Sequence, residues 1–347
     1  MGALLVAALV GLLSLLMAGN AYAAEAKPKP KVSKSKPKPK KKAKAKHKKA
    51  KHKKAKHKKP KVKASIHRGQ LNVLGTAAND KITLRLKPGN PSRLQVDVGS
   101  DGHAEFTFKR SAFTRIVVHA RPGNDAMTID ESYGFFTGTE ATSLFGDAGS
   151  DLAVGKGSNA AEKFEFSAEG SRLRAARNGN AYRASVERFN LRALGGADNV
   201  VVNDVAGAGL SKLNLDLAAD GAADVVDIKG SSVANELRVG GAINISGIGA
   251  LVNVSRAQAA NDKLNIDPGA GSDRVVVEGT AGNDTLSVAA SATPGHISVA
   301  GGPAGLPIDV VNSEALAIEA LAGNDALNAG LGLAALTQLT LDGGVGN

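Results

Sequence analysis

The sequence predicts an all-β fold, a parallel β-helix or β-roll-like solenoid preceded by a disordered lysine-rich tail. Three observations carry this expectation. Short alternating apolar runs bounded by Gly, Asn, Asp or Pro fill the chain from about Ser65 onward. Gly-x-Asp or Asn-Asp corners recur just ahead of such runs. A segment made almost entirely of Lys, Pro, Ala and His precedes them and shares none of their composition.

In chain order, the first element is an apolar run from Ala3 to Ala18, followed by Gly19-Asn20 and Ala21-Tyr22-Ala23-Ala24. An apolar stretch closed by a small-x-small site reads as a secretory signal, residues 1–23, cleaved after Ala23. The run is short for a bilayer span, which needs about 20 residues. A secreted or cell-envelope location follows as the expectation.

Residues 24–64 form the second element. Between Lys27 and Lys63 stand 21 lysines and no acidic residue. With little to bury and like charges repelling, this segment is expected to be extended and disordered. Its five prolines add polyproline stiffness. Lys40, Lys41, Lys42, Lys48, Lys49, Lys53, Lys54, Lys58 and Lys59 then make an adhesive for an anionic surface polymer. No specific nucleic-acid recognition is expected. His47, His52 and His57 recur every five residues, a spacing that enforces no metal geometry in a disordered chain. They add charge below about pH 6.5.

The third element is residues 65–347. Ile82-Thr-Leu-Arg-Leu86, Leu94-Gln-Val-Asp-Val98, Leu213-Asn-Leu-Asp-Leu217 and Val275-Val-Val277 read as strands between turns. Corners fall at Asp80, Asp125, Asp151, Asp198, Asp224, Asp262, Asp273, Asp284 and Asp325. Their first four intervals alternate, 45, 26, 47 and 26 residues, which reads as an internal period of 71 to 73. Gly75-Thr-Ala-Ala-Asn-Asp80 beside Gly279-Thr-Ala-Gly-Asn-Asp284 supports duplication, and short strands at repeated corners argue for stacked coils. The longer intervals leave room for hairpins, so an antiparallel sandwich over 65–200 is the competing architecture.

Composition excludes several chemistries. The chain has no cysteine, hence no disulfide, thiol nucleophile or thiolate metal site. No tryptophan and 3 % aromatic residues argue against a stacking platform for bases or sugars. From Ala64 on, 23 basic residues face 31 acidic ones, so the folded part is acidic although the whole chain carries +12. Outside the tail His67, His103, His119 and His296 stand singly, and no hydrolase elbow, zinc-protease motif or phosphate loop occurs.

The corners resemble the nonapeptide G-G-x-G-x-D-x-U-x of haemolysin-type (RTX-like) calcium-binding proteins, where U is large and apolar. Gly279-Thr-Ala-Gly-Asn-Asp-Thr-Leu-Ser287 departs from it at Thr280, and Pro268-Gly-Ala-Gly-Ser-Asp-Arg-Val-Val276 at Pro268. Ala320-Leu-Ala-Gly-Asn-Asp-Ala-Leu-Asn328 keeps Gly323, Asp325 and Leu327. Gly146-Asp-Ala-Gly-Ser-Asp-Leu-Ala-Val154 keeps Gly146, Gly149 and Asp151. The resemblance implies Ca²⁺ between stacked half-turns. Asp273, Asp284 and Asp325 would be its leading ligands, Asp125, Asp151 and Asp262 second-rank ones, and Gly271, Gly282 and Gly323 would shape the loops. The corners depart from the family in spacing, since only Asp262, Asp273 and Asp284 follow one another closely, at eleven-residue steps. Gly343-Gly-Val-Gly-Asn347 opens a further unit, so the array reads as truncated there.

The resulting expectation is a secreted, non-enzymatic calcium-binding repeat protein with a basic tether. The first alternative is an envelope polyanion-binding protein whose repeats are a metal-free spacer. The second is a polysaccharide-active enzyme on a β-helix.

Overall fold

A computed structural model describes residues 61–346. The expected signal segment 1–23 and the tail lysines from Lys40 to Lys59 lie outside the described residues.

Strands form where apolar and polar residues alternate. Lys212–Asp216 buries Leu213 and Leu215 and turns Lys212, Asn214 and Asp216 outward, the period-two signature of a strand. Among the described residues the regular elements are β-strands and three short 3₁₀ turns.

These strands make two sheets, of 14 and 13 strands. The chain crosses between them at successive corners. Gln70–Leu74 lies in the first sheet, Lys81–Lys87 in the second, Arg115–His119 in the first and Ala126–Asp130 in the second. Ala141–Phe145 and Leu152–Lys156 repeat the step. Successive coils pair in parallel and in register, Val118 with Leu144 in one sheet and Ile129 with Gly155 in the other. The architecture is a β-solenoid, as the sequence predicts.

Registration stacks like on like. Val73, Val118 and Leu144 form one inward row, while Ile82 and Met127 begin another from the opposite sheet. Rows of Val, Leu and Ile fill the narrow space between the sheets, so few aromatics are needed. Phe166, Tyr182 and Phe189 cluster at one place, where the first sheet widens.

A plain coil takes 26 residues, as from Asp125 to Asp151. Longer coils carry three-stranded antiparallel meanders. These occupy residues 81–109 in the second sheet, 163–185 in the first, 236–255 in the second and 285–311 in the first. Because the insertions alternate between sheets, neither sheet outgrows the other. The sandwich alternative over 65–200 does not form. Antiparallel pairing in that stretch is confined to hairpins, and the coils themselves pair in parallel.

Candidate functional site

Every corner aspartate sits immediately before a strand, where the chain turns from one sheet into the other. At Asp125, Asp151, Asp198, Asp224, Asp262, Asp273 and Asp325 the carboxylate reaches across to the neighbouring coil, whereas those of Asp80 and Asp284 bond within their own corner. Asp125 Oδ1 accepts the Asp80 N–H at 2.6 Å, Asp151 Oδ1 accepts the Asp125 N–H at 2.8 Å, and Glu187 accepts the Asp151 N–H at 2.7 Å. The opposite edge carries the same ladder. There Asp198, Asp224 and Asp262 accept the N–H of Glu162, Asp198 and Asp224 at 2.9, 2.8 and 3.0 Å.

Two shorter runs continue the ladders. Asp273 accepts from Asn235 and Glu314 from Asp273 on the first edge, and Asp325 accepts from Asp284 on the second. The preceding asparagine works in the other direction. Asn79 Oδ1 accepts the Asn124 N–H, and Asn283 Oδ1 accepts the Asn324 N–H. At Asn124-Asp125 the two side chains clamp the coil on either side, Asp125 accepting from Asp80 and Asn124 from Ser150, which satisfies amides that a buried turn would otherwise strand.

The second carboxylate oxygen divides the corners into two kinds. In closed corners it accepts the N–H four residues earlier: Thr76 to Asp80, Ser158 to Glu162, Gln258 to Asp262 and Thr280 to Asp284, at 2.6 to 3.0 Å. In open corners that earlier residue has positive φ, as at Arg121, Asp147, Leu194, Gly269 and Leu321. A glycine of positive φ follows two residues later, at Gly123, Gly149, Gly196, Gly271 and Gly323. Here the amide is turned away, and Oδ2 of Asp125, Asp151, Asp198, Asp273 and Asp325 is buried with no partner.

Burial shifts these groups. Asp125 is pushed up to about 6 by burial, with the Asp151 and Asp80 carboxylates adding to the rise and the Asp80 amide opposing it. Burial takes Asp198 to about 8 and Asp224 to about 6, and raises Asp151 as well. In each case desolvation outweighs the single amide bond.

The structure separates several residues that the sequence placed together. Asp262 and Asp284 lie on one edge and Asp273 on the other. Strands His296–Ala300 and Ile308–Val311 lie in the sheet between the strands that Asp262 and Asp284 precede. Of the six candidate ligands, only Asp125 with Asp151 and Asp284 with Asp325 stack on adjacent coils. Gly271 and Gly323 hold positive φ, whereas Gly282 lies in a closed corner and donates its N–H to Thr280 Oγ1. Among the described residues no group of three or more His, Asp or Glu is arranged to hold a metal ion.

Sequence reasoning did not single out Glu162, Glu187, Asn235 and Glu314, which occupy the same corner position. A Glu or Asn directly ahead of an alternating run was the available signal. It also left His296 single, whereas its Nδ1 bonds the buried Asp309, with Lys263 Nζ 3.6 Å from the same carboxylate.

No family model, curated protein or solved structure matches the chain. Its class therefore rests on its own geometry: a two-sheeted β-solenoid whose corners are cemented by carboxylates.

Proposed function

We propose that this is a non-enzymatic structural protein in which a lysine-rich segment grips an anionic surface polymer and the solenoid serves as a metal-independent spacer. One observation carries the reading: each laddered corner carboxylate already spends an oxygen on the amide of the adjacent coil. An aspartate used this way cements coils without a cation. The coils stack through paired strands, and the 21 lysines between Lys27 and Lys63 supply charge for any polyanion. Export to a cell surface belongs to the same proposal.

Calcium binding at the open corners is the second reading. Its support is the partnerless Oδ2 of Asp125, Asp151, Asp198, Asp273 and Asp325, a spare hard oxygen of the kind Ca²⁺ takes.

The tether is tested on the full chain with immobilised long-chain polygalacturonate. Replacing Lys40, Lys41, Lys42, Lys48, Lys49, Lys53, Lys54, Lys58 and Lys59 by Gln is expected to weaken binding about a hundredfold and to flatten its salt dependence. Unchanged binding would remove the tail from the function.

A further inference from the structure

The outer face of the second sheet carries a groove of about 640 Å³ over the strands 81–87, 126–130, 152–156 and 188–192. Arg85, Asp130, Lys156 and Arg192 follow one another across it in strict register. Arg85 is held by Asp97 at 2.6 Å and by the Gly102 carbonyl at 2.8 Å. Lys156 pairs with Asp130 at 3.0 Å. Lys87 and Arg192, both exposed, line the same groove, and neither cationic group has an acceptor among the described residues.

Two features favour an anion on this face. Lys156, paired with Asp130, stands directly opposite Arg192, whose other neighbour in register is Asp216, and two rows away Arg188 stands directly opposite Lys212. Like charges opposed on neighbouring strands destabilise a sheet. The second feature is where the charge collects. From Ala64 to Arg192 the chain has 17 basic and 14 acidic residues, and from Ala193 on it has 6 and 17. The cations gather in the half that holds the groove.

We propose that this groove is a second anion site, taking a linear acidic polysaccharide laid along the solenoid axis. The inference deepens the polyanion reading and rests on it. Beside the charges, Thr83 and Thr128 form an uncharged hydrogen-bonding row that continues past Val154 into Asn190, Asn214 and Asn253. The row repeats at the strand spacing of about 4.8 Å, close to the length of one sugar in an extended chain. Recognition here is by charge and hydrogen bonds. Tyr133 is the aromatic residue at the rim, which leaves no series of rings on which successive bases could stack.

The test titrates the full chain with hexagalacturonate, and with maltohexaose and a 20-nucleotide DNA strand for comparison. Lys87→Gln/Arg192→Gln, which breaks no ion pair, is expected to weaken hexagalacturonate binding about tenfold or more. Neutralising the nine tail lysines is expected to leave this short-oligomer affinity within about twofold, because the groove and not the tail holds it. Maltohexaose is expected not to bind, and DNA to bind more weakly than hexagalacturonate. The proposal is overturned if wild type ignores hexagalacturonate, if the groove variant binds like wild type, if the tail variant abolishes binding, or if DNA binds as tightly. Failure of the tether would instead appear with long polymer and an intact groove.

Discussion

The solenoid is expected to unfold at a lower temperature at pH 8 than at pH 5, the reverse of ordinary acid sensitivity. Asp198, raised by burial to about 8, and Asp125 and Asp224, raised to about 6, hold protons more tightly folded than unfolded, where an aspartate titrates near 3.9. A carboxyl whose folded value is raised contributes stability that is full below its unfolded value. That contribution is lost as pH climbs through the folded value. Asp198 dominates, on the order of 2–3 kcal/mol between pH 5 and pH 8. Asp198→Asn keeps an oxygen for the Glu162 amide while removing the charge, so it should flatten the profile and stabilise the protein at pH 8. Thermal melts at pH 5, 6, 7 and 8 on both proteins check this. A wild-type profile that rises with pH would contradict the assignment of Asp198 as a desolvated acid.

Gly149→Ala is expected to cost on the order of 3–5 kcal/mol. Gly149 has φ +141, and a methyl built on it would overlap the carbonyl oxygen of Gly123 on the neighbouring coil. The obstacle is backbone, which a rotamer change cannot move. Gly323 meets Gly282 in the same way, so the close approach belongs to the way corners stack. Gly170 is the control. Its φ is +63 with open space where a Cβ would go, so Gly170→Ala should cost about 1 kcal/mol, the penalty of a left-handed alanine alone. Equal losses at the two positions in chemical denaturation would mean that corner packing does not limit the coil.

The strands and corners were legible because both are local. Alternation marks Lys212–Asp216 as a strand, and Gly-Asn-Asp marks its turns, whatever the neighbours are. Which corners stack is not local. Asp151 and Asp198 are 47 residues apart and close one cycle of the apparent 71-to-73 period. In the fold they belong to opposite edges, Asp151 laddering to Glu187 and Asp198 to Glu162. The interval of 45 residues from Asp80 to Asp125 is a real coil, lengthened by the 81–109 meander, and the 26 from Asp125 to Asp151 is a plain one. A meander adds two strands without changing which edge the next corner occupies, so spacing alone cannot assign partners.

The division between closed and open corners was readable in part. Thr76, Ser158 and Thr280 sit four residues ahead of their acids, a spacing that lets hydroxyl and amide close the loop. The outer groove was not readable, because it depends on Arg85, Lys156 and Arg192 coming into register from strands far apart in sequence.

The central claim is that corner carboxylates cement coils through backbone amides and need no cation. Thermal unfolding of the full chain by circular dichroism, in EDTA, in millimolar CaCl₂ and in millimolar MgCl₂, tests it directly. The account predicts three coincident melts with one Tm and one β signal. A rise in Tm or gain of β signal specific to calcium would contradict it, since a ligand that binds only the folded state must raise the midpoint. It would identify the partnerless Oδ2 atoms of Asp125, Asp151, Asp198, Asp273 and Asp325 as ligands.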